Sequence, residues 1–400
     1  MQPIRAALLI CALAMIILPA NGQAVTTVDC GNLGHSLATA IATATPGTTI
    51  SFSGVCAGPI NVDTRNLTLD GGGKGVIDGG GTNNAIIITG VHGIALSNAT
   101  VRNGVIGVLV QAGGIATLSG LTVSGDSFDN VLITGNSSAT ITNTKSQSGP
   151  VNGVDVESTS SVIFMGQMVS SGAIAFGINI GTGSSITLSG ATVRVTNNGL
   201  GIQIGIGASG FIDPASSLVA LNNTTTGITV VSGSHLVNFG GKIEAAGNKI
   251  NGFSADSKSG LDLDAASVLY AHGNTQDGVH LEETSMLNMF NTTAFSGVPG
   301  NTVLISQNNG QQGIGVHGNS EFHMHNQVRL VSSNNGGGGA LADNGSALIM
   351  INSNLSHNAG YDVDLTFGSR GDLSSSQIGD IDCDATSLIR GDTGKTCPAR

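Results

Sequence analysis

A four-residue phrase, glycine followed by an apolar, a variable and a second apolar residue, returns along this chain at a nearly fixed interval. It reads Gly107-Val108-Leu109-Val110, Gly153-Val154-Asp155-Val156, Gly177-Ile178-Asn179-Ile180, Gly201-Ile202-Gln203-Ile204 and Gly227-Ile228-Thr229-Val230. Asn130-Val131-Leu132-Ile133 fills the gap after the first copy, so the starts are separated by 23, 23, 24, 24 and 26 residues. Later copies begin at Gly260, Gly278, Gly313 and Gly360. Self-similarity at such a period marks a chain of stacked units, none of which can bury its apolar face alone.

Side chains alternate along a strand, so the two apolar residues of each phrase face one way and the variable residue faces the other. One turn of a parallel β-helix takes two or three short strands and tight bends, roughly 18 to 30 residues. Stacked turns then place Ile on Ile and Val on Val in a narrow core. The absence of Trp, with two Tyr and eleven Phe, suits a core that thin. A parallel α/β domain would need helical crossovers of a dozen or more residues, which the segments between these strands lack. The phrase therefore predicts an all-β, single right-handed parallel β-helix. Asn and Gly between strands are expected at bends, where positive φ is tolerated. Two stretches, Asn251 to Ser259 and Asn291 to Asn309, read as insertions.

The ends differ from the middle. Residues 1–24 combine Arg5, an apolar run from Ala6 to Leu18 and the small residues of Gly22-Gln23-Ala24, and read as a signal peptide. The protein is thus expected to be secreted, periplasmic or at the cell surface, with no integral membrane domain after signal removal. Residues 25–57 are expected to form an N-terminal cap, 58–366 the β-helix and 367–400 a C-terminal cap or tail. Leu33, Leu37, Ile41 and Ala44, at spacings of three or four after Asn32, predict a short helix that Pro46-Gly47 ends, suited to cover the first open coil. Four cysteines remain beyond the signal. An oxidising compartment permits disulfides, and the short terminal loops favour Cys30–Cys56 and Cys383–Cys397.

Charged residues are only 10% of the chain and lean acidic, for a formal net charge of −11, with no Lys/Arg cluster. Nucleic acid is therefore not an expected partner. Oligomeric state is left open by the sequence.

With its repeats laid out, the chain resembles the pectin-lyase-like superfamily of right-handed parallel β-helices over most of residues 28 to 366. The opening carries the same likeness: Cys30-Gly31-Asn32, the amphipathic helix, Pro46-Gly47-Thr48-Thr49-Ile50, Cys56 and Leu67-Thr68-Leu69-Asp70-Gly71-Gly72. The resemblance implies a polysaccharide or cell-surface glycan as partner. Pectate lyases of that group pair calcium-binding acids with Arg or Lys, and its polygalacturonase-like hydrolases use clustered Asp. Neither full motif aligns here, and Arg102, Arg194 and Arg329 stand isolated.

Chemistry is expected on the outward positions. Asp155, Asn179, Gln203 and Thr229 fall in one file of variable residues and offer a binding surface, joined by Asp262, His280, Gly315 and Asp362. A second file two residues on includes Glu157, Asp264, Glu282, His317 and Asp364. With coils about 4.8 Å apart, Asp262, Asp264, His280, Glu282 and His317 would form one patch. Asp262, Asp264, His280 and Glu282 are the catalytic candidates. Paired carboxylates can divide acid and base roles on a glycosidic bond, and His280 can abstract a proton near neutral pH. No cofactor is required by the sequence, although Ca²⁺ is compatible with hard carboxylate ligands. His323 and His325 should share one strand face opposite Met324, with His317 or Glu321 as further ligands for a transition metal. The leading expectation is a carbohydrate-binding or surface-interaction module. A polysaccharide lyase, hydrolase or epimerase and a structural surface scaffold are the alternatives.

Overall fold

The computed structural model describes residues 25–148, 151–292, 300–325, 327–391 and 393–398. The signal peptide expected over 1–24 lies outside them. The described chain is a right-handed parallel β-helix. Its strands form a narrow sheet of 14 and a wide sheet of 24. Most coils place one strand in the narrow sheet and two in the wide one, as in Leu200–Ile204, Ser209–Ile212 and Ser217–Leu221. In some coils the two wide-sheet strands fuse, as in Ser185–Thr196. Every registered strand pair is parallel, for example Val154 on Ile178, Ile178 on Ile202 and Ile202 on Ile228.

The repeated apolar pairs face inward. Ile178, Ile180, Ile202, Ile204, Ile228 and Val230 are all buried, and Phe253, Val279, Leu281, Ile314 and Val316 continue the stack. Wide-sheet strands obey the same alternation, with Ile186, Leu188, Ala191, Val193 and Val195 buried from one strand. One contiguous apolar core thus runs the length of the solenoid.

A ladder of asparagines, buried except for the half-buried last member Asn358, holds the coils at one bend. Asn198, Asn223, Asn248, Asn274, Asn309, Asn335 and Asn358 stack in file. Each of the first six donates its backbone N–H to the next Oδ1 at 3.0–3.2 Å. Each also donates its Nδ2 to the same oxygen at 2.9–3.3 Å. Asn197, Asn222, Asn308 and Asn334, the residues just before four ladder members, carry positive φ of 55–57°. An Asn-Asn pair therefore divides two tasks: the first makes the bend and the second is buried in the ladder.

The ladder also explains the glycine at the start of each narrow-sheet strand from Gly177 to Gly339, which is not a positive-φ bend residue. A Cβ on Gly227 would lie 2.6 Å from Asn248 Nδ2, and one on Gly252 would lie 2.7 Å from Asn274 Nδ2. Glycine stands there because the next coil's asparagine occupies the space. A serine file runs down a second bend. Ser234, Ser259, Ser285 and Ser320 each donate N–H to the hydroxyl of the following serine at 3.1–3.3 Å.

At the N-terminal end the helix spans Leu37–Thr43 and buries Leu37 and Ile41 against the first coils. It starts at Ser36, whose hydroxyl accepts the Thr39 N–H at 3.4 Å. It does not begin after Asn32, and Leu33 is fully exposed, so Leu33 belongs to the approach and not to the apolar stripe. With a long cap bond at an exposed end, Ser36→Ala is expected to cost about 0.5–1 kcal/mol, read as a small drop in the urea midpoint. Both disulfides form as paired above, with Cα separations of 5.1 Å for Cys30–Cys56 and 5.4 Å for Cys383–Cys397. The parallel ladder extends on both sides of the 58–366 range. Val25–Asp29 pairs with Thr49–Ser53, and Leu388–Gly391 pairs with Arg370–Leu373. No described helix is long and apolar enough to cross a membrane.

Candidate functional site

The outer face of the narrow sheet carries a file of variable residues in strict register: Leu109, Leu132, Asp155, Asn179, Gln203, Thr229, Ser254, His280, Gly315, Leu341 and Asp364. The file departs from the expected order in taking Ser254 for Asp262, in including Leu341 and in ending at Asp364 instead of Asp362. The narrow-sheet strand after Thr229 is Phe253–Ala255, so Asn251 to Ser259 holds a regular strand and is not an insertion. Gly260–Asp264 belongs to the wide sheet, where Asp262 lies between Val237 and Asn288. Near the end the outward residue is Asp364, because the strand runs Val363–Leu365 and Asp362 precedes it. The longer stretch after Asn291 contains the wide-sheet strand Thr302–Gln307, and residues 293–299 within it lie outside the described residues.

The predicted patch is therefore divided. His280, Glu282 and His317 share the narrow-sheet face, whereas Asp262 and Asp264 lie on the other sheet. Asp262 accepts from Asn288 Nδ2 at 2.9 Å and meets His235 Nε2 at 3.0 Å. Burial would raise its pKa, but these two hydrogen bonds and the charges of His235 and His325 hold it below the usual carboxylate range. Asp264 accepts the backbone N–H and hydroxyl of Thr292 at 2.8 and 2.6 Å. Both carboxylates are engaged locally, in positions that do not face His280.

Along the narrow face, polar side chains join from coil to coil. Asn179 donates to Asp155 Oδ1 at 2.9 Å, and Gln203 donates to Asn179 Oδ1 at 3.2 Å. Asn179, Gln203, Thr229 and Ser254 are half-buried. The file is less solvated at its start, where Leu109, Leu132 and Asp155 are buried.

Further along the same face lies a titratable cluster. His280 Nδ1 meets Asp277 Oδ2 at 2.8 Å, and its Nε2 meets Glu282 Oε2 at 3.3 Å. His317 Nδ1 meets Asp343 Oδ2 at 2.9 Å, and the two imidazole centroids are 4.8 Å apart. Burial lowers the His280 pKa, but the hydrogen bonds and charges of Asp277 and Glu282 outweigh it and raise the pKa above the ordinary histidine value. Asp277 is buried and fixed by its backbone: its N–H donates to Asn251 Oδ1 at 3.1 Å, and its Oδ1 accepts the Gln312 N–H at 2.9 Å. A histidine held between two carboxylates can accept a proton and pass it on.

His323 and His325 share a wide-sheet face as expected, with centroids 4.2 Å apart and Met324 buried opposite. Glu321 meets His323 at 3.1 Å. His317 is on the other sheet and cannot join them.

Sequence reading missed Asp277 and Asp343. Asp277 immediately precedes a phrase glycine, a position whose side chain turns onto the outer face only in the folded bend. Asp343 follows Glu282 and His317 in the second file and is found only once the Gly339-Ala340-Leu341-Ala342 strand is counted. The buried acids Asp126 and Asp129, the latter a neighbour of Asp155, were also missed. Asp126 and Asp129 are at most 1% exposed, and burial pushes both pKa values up to about 7. Asp155 is pushed to about 6, again mainly by burial.

No family model matches the chain, and no curated protein matches it. Among solved structures it is similar to pectate lyase Pel9A, at 14% identity over 94% of this chain and 82% of that one, with a TM-score of 0.35. A double mutant of the periplasmic alginate epimerase AlgG matches at 13% identity over 92% and 82%, with a TM-score of 0.42. Tailspike protein 3 of bacteriophage CBA120 matches at 11% identity over 91% and 59%, with a TM-score of 0.38. At 11–14% identity the likeness is one of overall fold alone.

Proposed function

We propose that this protein is an exported or cell-surface β-helix that binds an elongated glycan along the outer face of its narrow sheet. The observation that carries this reading is the registered file of Asp155, Asn179, Gln203 and Thr229, half-buried for most of its length, with side-chain hydrogen bonds linking its first three members. A polar polymer lying along the axis meets a new amide, hydroxyl or carboxylate about every 4.8 Å. His317, two residues after Gly315 of the same file, extends the face. The low charge of the chain favours neutral or sparsely charged polymers over dense polyanions, which its net −11 would repel unless a cation such as Ca²⁺ intervened.

A second reading is favoured by one observation, the placement of His280 between Asp277 and Glu282. That arrangement suits proton abstraction in a polysaccharide lyase or epimerase, with Asp277 taking the place expected for Asp262 and Asp264. A hydrolase would instead use two carboxylates of this cluster.

The test is a panel of uronate-rich and neutral glycans, with and without calcium, scored for retention and for products. The double variant Asn179→Ala/Gln203→Ala removes two hydrogen-bonding groups worth roughly 1 kcal/mol each, and is expected to weaken retention about 10- to 30-fold. Asp262→Asn, on the opposite sheet, should leave retention unchanged. Retention without products that ignored the double variant would sink the binding face. Products that vanish in His280→Gln would move the assignment to the enzyme.

A further inference from the structure

We propose that Asp277, His280 and His317 form a binding site for a divalent transition-metal ion of the zinc type. Their ligand atoms, one per residue, all lie within 4.8 Å of one another. In a tetrahedral zinc site with bonds of about 2.0–2.1 Å, ligand atoms stand roughly 3.3 Å apart. Small side-chain rotations close the difference.

Three further features prepare the site. First, Asp343 accepts from His317 Nδ1 at 2.9 Å, which leaves the lone pair on Nε2. A carboxylate behind a histidine is the usual device for fixing a metal-ligating imidazole. Second, Asp277 is buried, with its Oδ1 held by the Gln312 N–H and its Oδ2 turned toward the histidines. Third, the residue between His280 and Leu341 in the outward file is Gly315. A Cβ there would lie 2.8 Å from both Asp277 Oδ2 and His317 Nε2. Any side chain at 315 would crowd two of the three ligand atoms at once. Glu282, 3.3 Å from His280 Nε2, is a further carboxylate beside the site.

Two imidazoles select a first-row transition metal over Ca²⁺ or Mg²⁺, which prefer all-oxygen shells. The three residues come from two successive coils, so a bound ion would tie them together.

The test uses the full mature chain without a histidine tag, stripped by chelator. It is titrated with Zn²⁺ by calorimetry and with Co²⁺ by visible absorption, with no glycan present. Its failure is thereby distinct from failure of the glycan reading. One equivalent should bind, with the d–d absorption of a low-coordinate Co²⁺ site. His317→Ala and His280→Ala should abolish it, and Asp343→Asn should weaken it about 10- to 100-fold. Gly315→Ala should block it while all three ligands remain. His323→Ala/His325→Ala should leave it intact, and circular dichroism confirms the fold of each variant. Absence of binding to the wild-type chain, or binding that survives His317→Ala and Gly315→Ala, overturns the proposal.

Discussion

Asn274→Ala is expected to lower the stability of the central coils by about 3–5 kcal/mol, far more than a polar-to-alanine change on an exposed loop. Asn274 is 2% exposed and sits mid-ladder. Its Oδ1 accepts the Asn248 backbone N–H at 3.1 Å and the Asn248 Nδ2 at 3.0 Å. Its own Nδ2 donates to Ala245 O at 3.1 Å and to Asn309 Oδ1 at 3.0 Å. Truncation strands the Asn248 N–H in a dry bend, and a buried orphaned donor costs about 1–3 kcal/mol. The vacated amide volume adds a cavity contribution. Asn274→Asp separates the two causes, because it keeps the shape. Ionised, it would aim a second acceptor at Ala245 O and Asn309 Oδ1, so it should be unstable at neutral pH. It should recover as pH falls and the carboxyl gains a donor. Urea unfolding with hydrogen exchange of the amides near 245–275 reads both effects, since a solenoid can open locally. Equal stability of Asn274→Ala and wild type would show that the ladder is ornament to the core.

The architecture was legible because its inward pairs repeat: Val154/Val156, Ile178/Ile180 and Ile202/Ile204 announce both the alternation and the coil length. The same regularity misled the placement of the site. Gly260-Leu261-Asp262-Leu263 satisfies the phrase perfectly, yet it is a wide-sheet strand. Both sheets bury alternate residues, so local pattern cannot say which sheet a strand joins. Only the count of strands per coil can, and Gly252-Phe253-Ser254-Ala255, with an aromatic and a small residue at its inward positions, escaped that count. His280, Glu282 and His317 were found because they follow true narrow-sheet copies. Asp277 was not, because it reaches the cluster through a bend. The asparagines were read as bend formers, which holds for Asn197 and Asn222 but not for Asn198 and Asn223. A residue that donates and accepts at once can extend a ladder indefinitely, and composition does not distinguish that use from a turn.

Asp129→Asn is expected to stabilise the protein by about 2–3 kcal/mol at pH 8 and to leave it nearly unchanged at pH 4. Asp129 is fully buried, and neither carboxylate oxygen has a hydrogen-bond partner. Asn152 beside it eases ionisation without closing a bond, while Asp155 and Glu157 oppose it with like charge. In the folded chain its pKa is about 7, against about 3.9 for an aspartate in an unfolded chain. The folded chain therefore binds the extra proton between those values, and this contribution is complete below about pH 4 and lost as pH rises through 7. Each tenfold change in an acid constant is worth about 1.4 kcal/mol, which bounds the single-site effect near 4 kcal/mol. Coupling between Asp129 and Asp155 reduces what either change yields alone. Asp126, with burial and the charge of Asp78 acting on it, carries the same sign, so the wild-type urea midpoint should fall between pH 5 and pH 8. The carboxylates held low by hydrogen bonds, such as Asp70 and Asp262, lose their contribution only below that window. The difference between wild type and Asp129→Asn reads Asp129 together with its coupling to Asp155 and Glu157, because the titrations of remote groups cancel in it. A difference that stayed constant from pH 4 to pH 8 would mean that Asp129 titrates alike in the folded and unfolded chain.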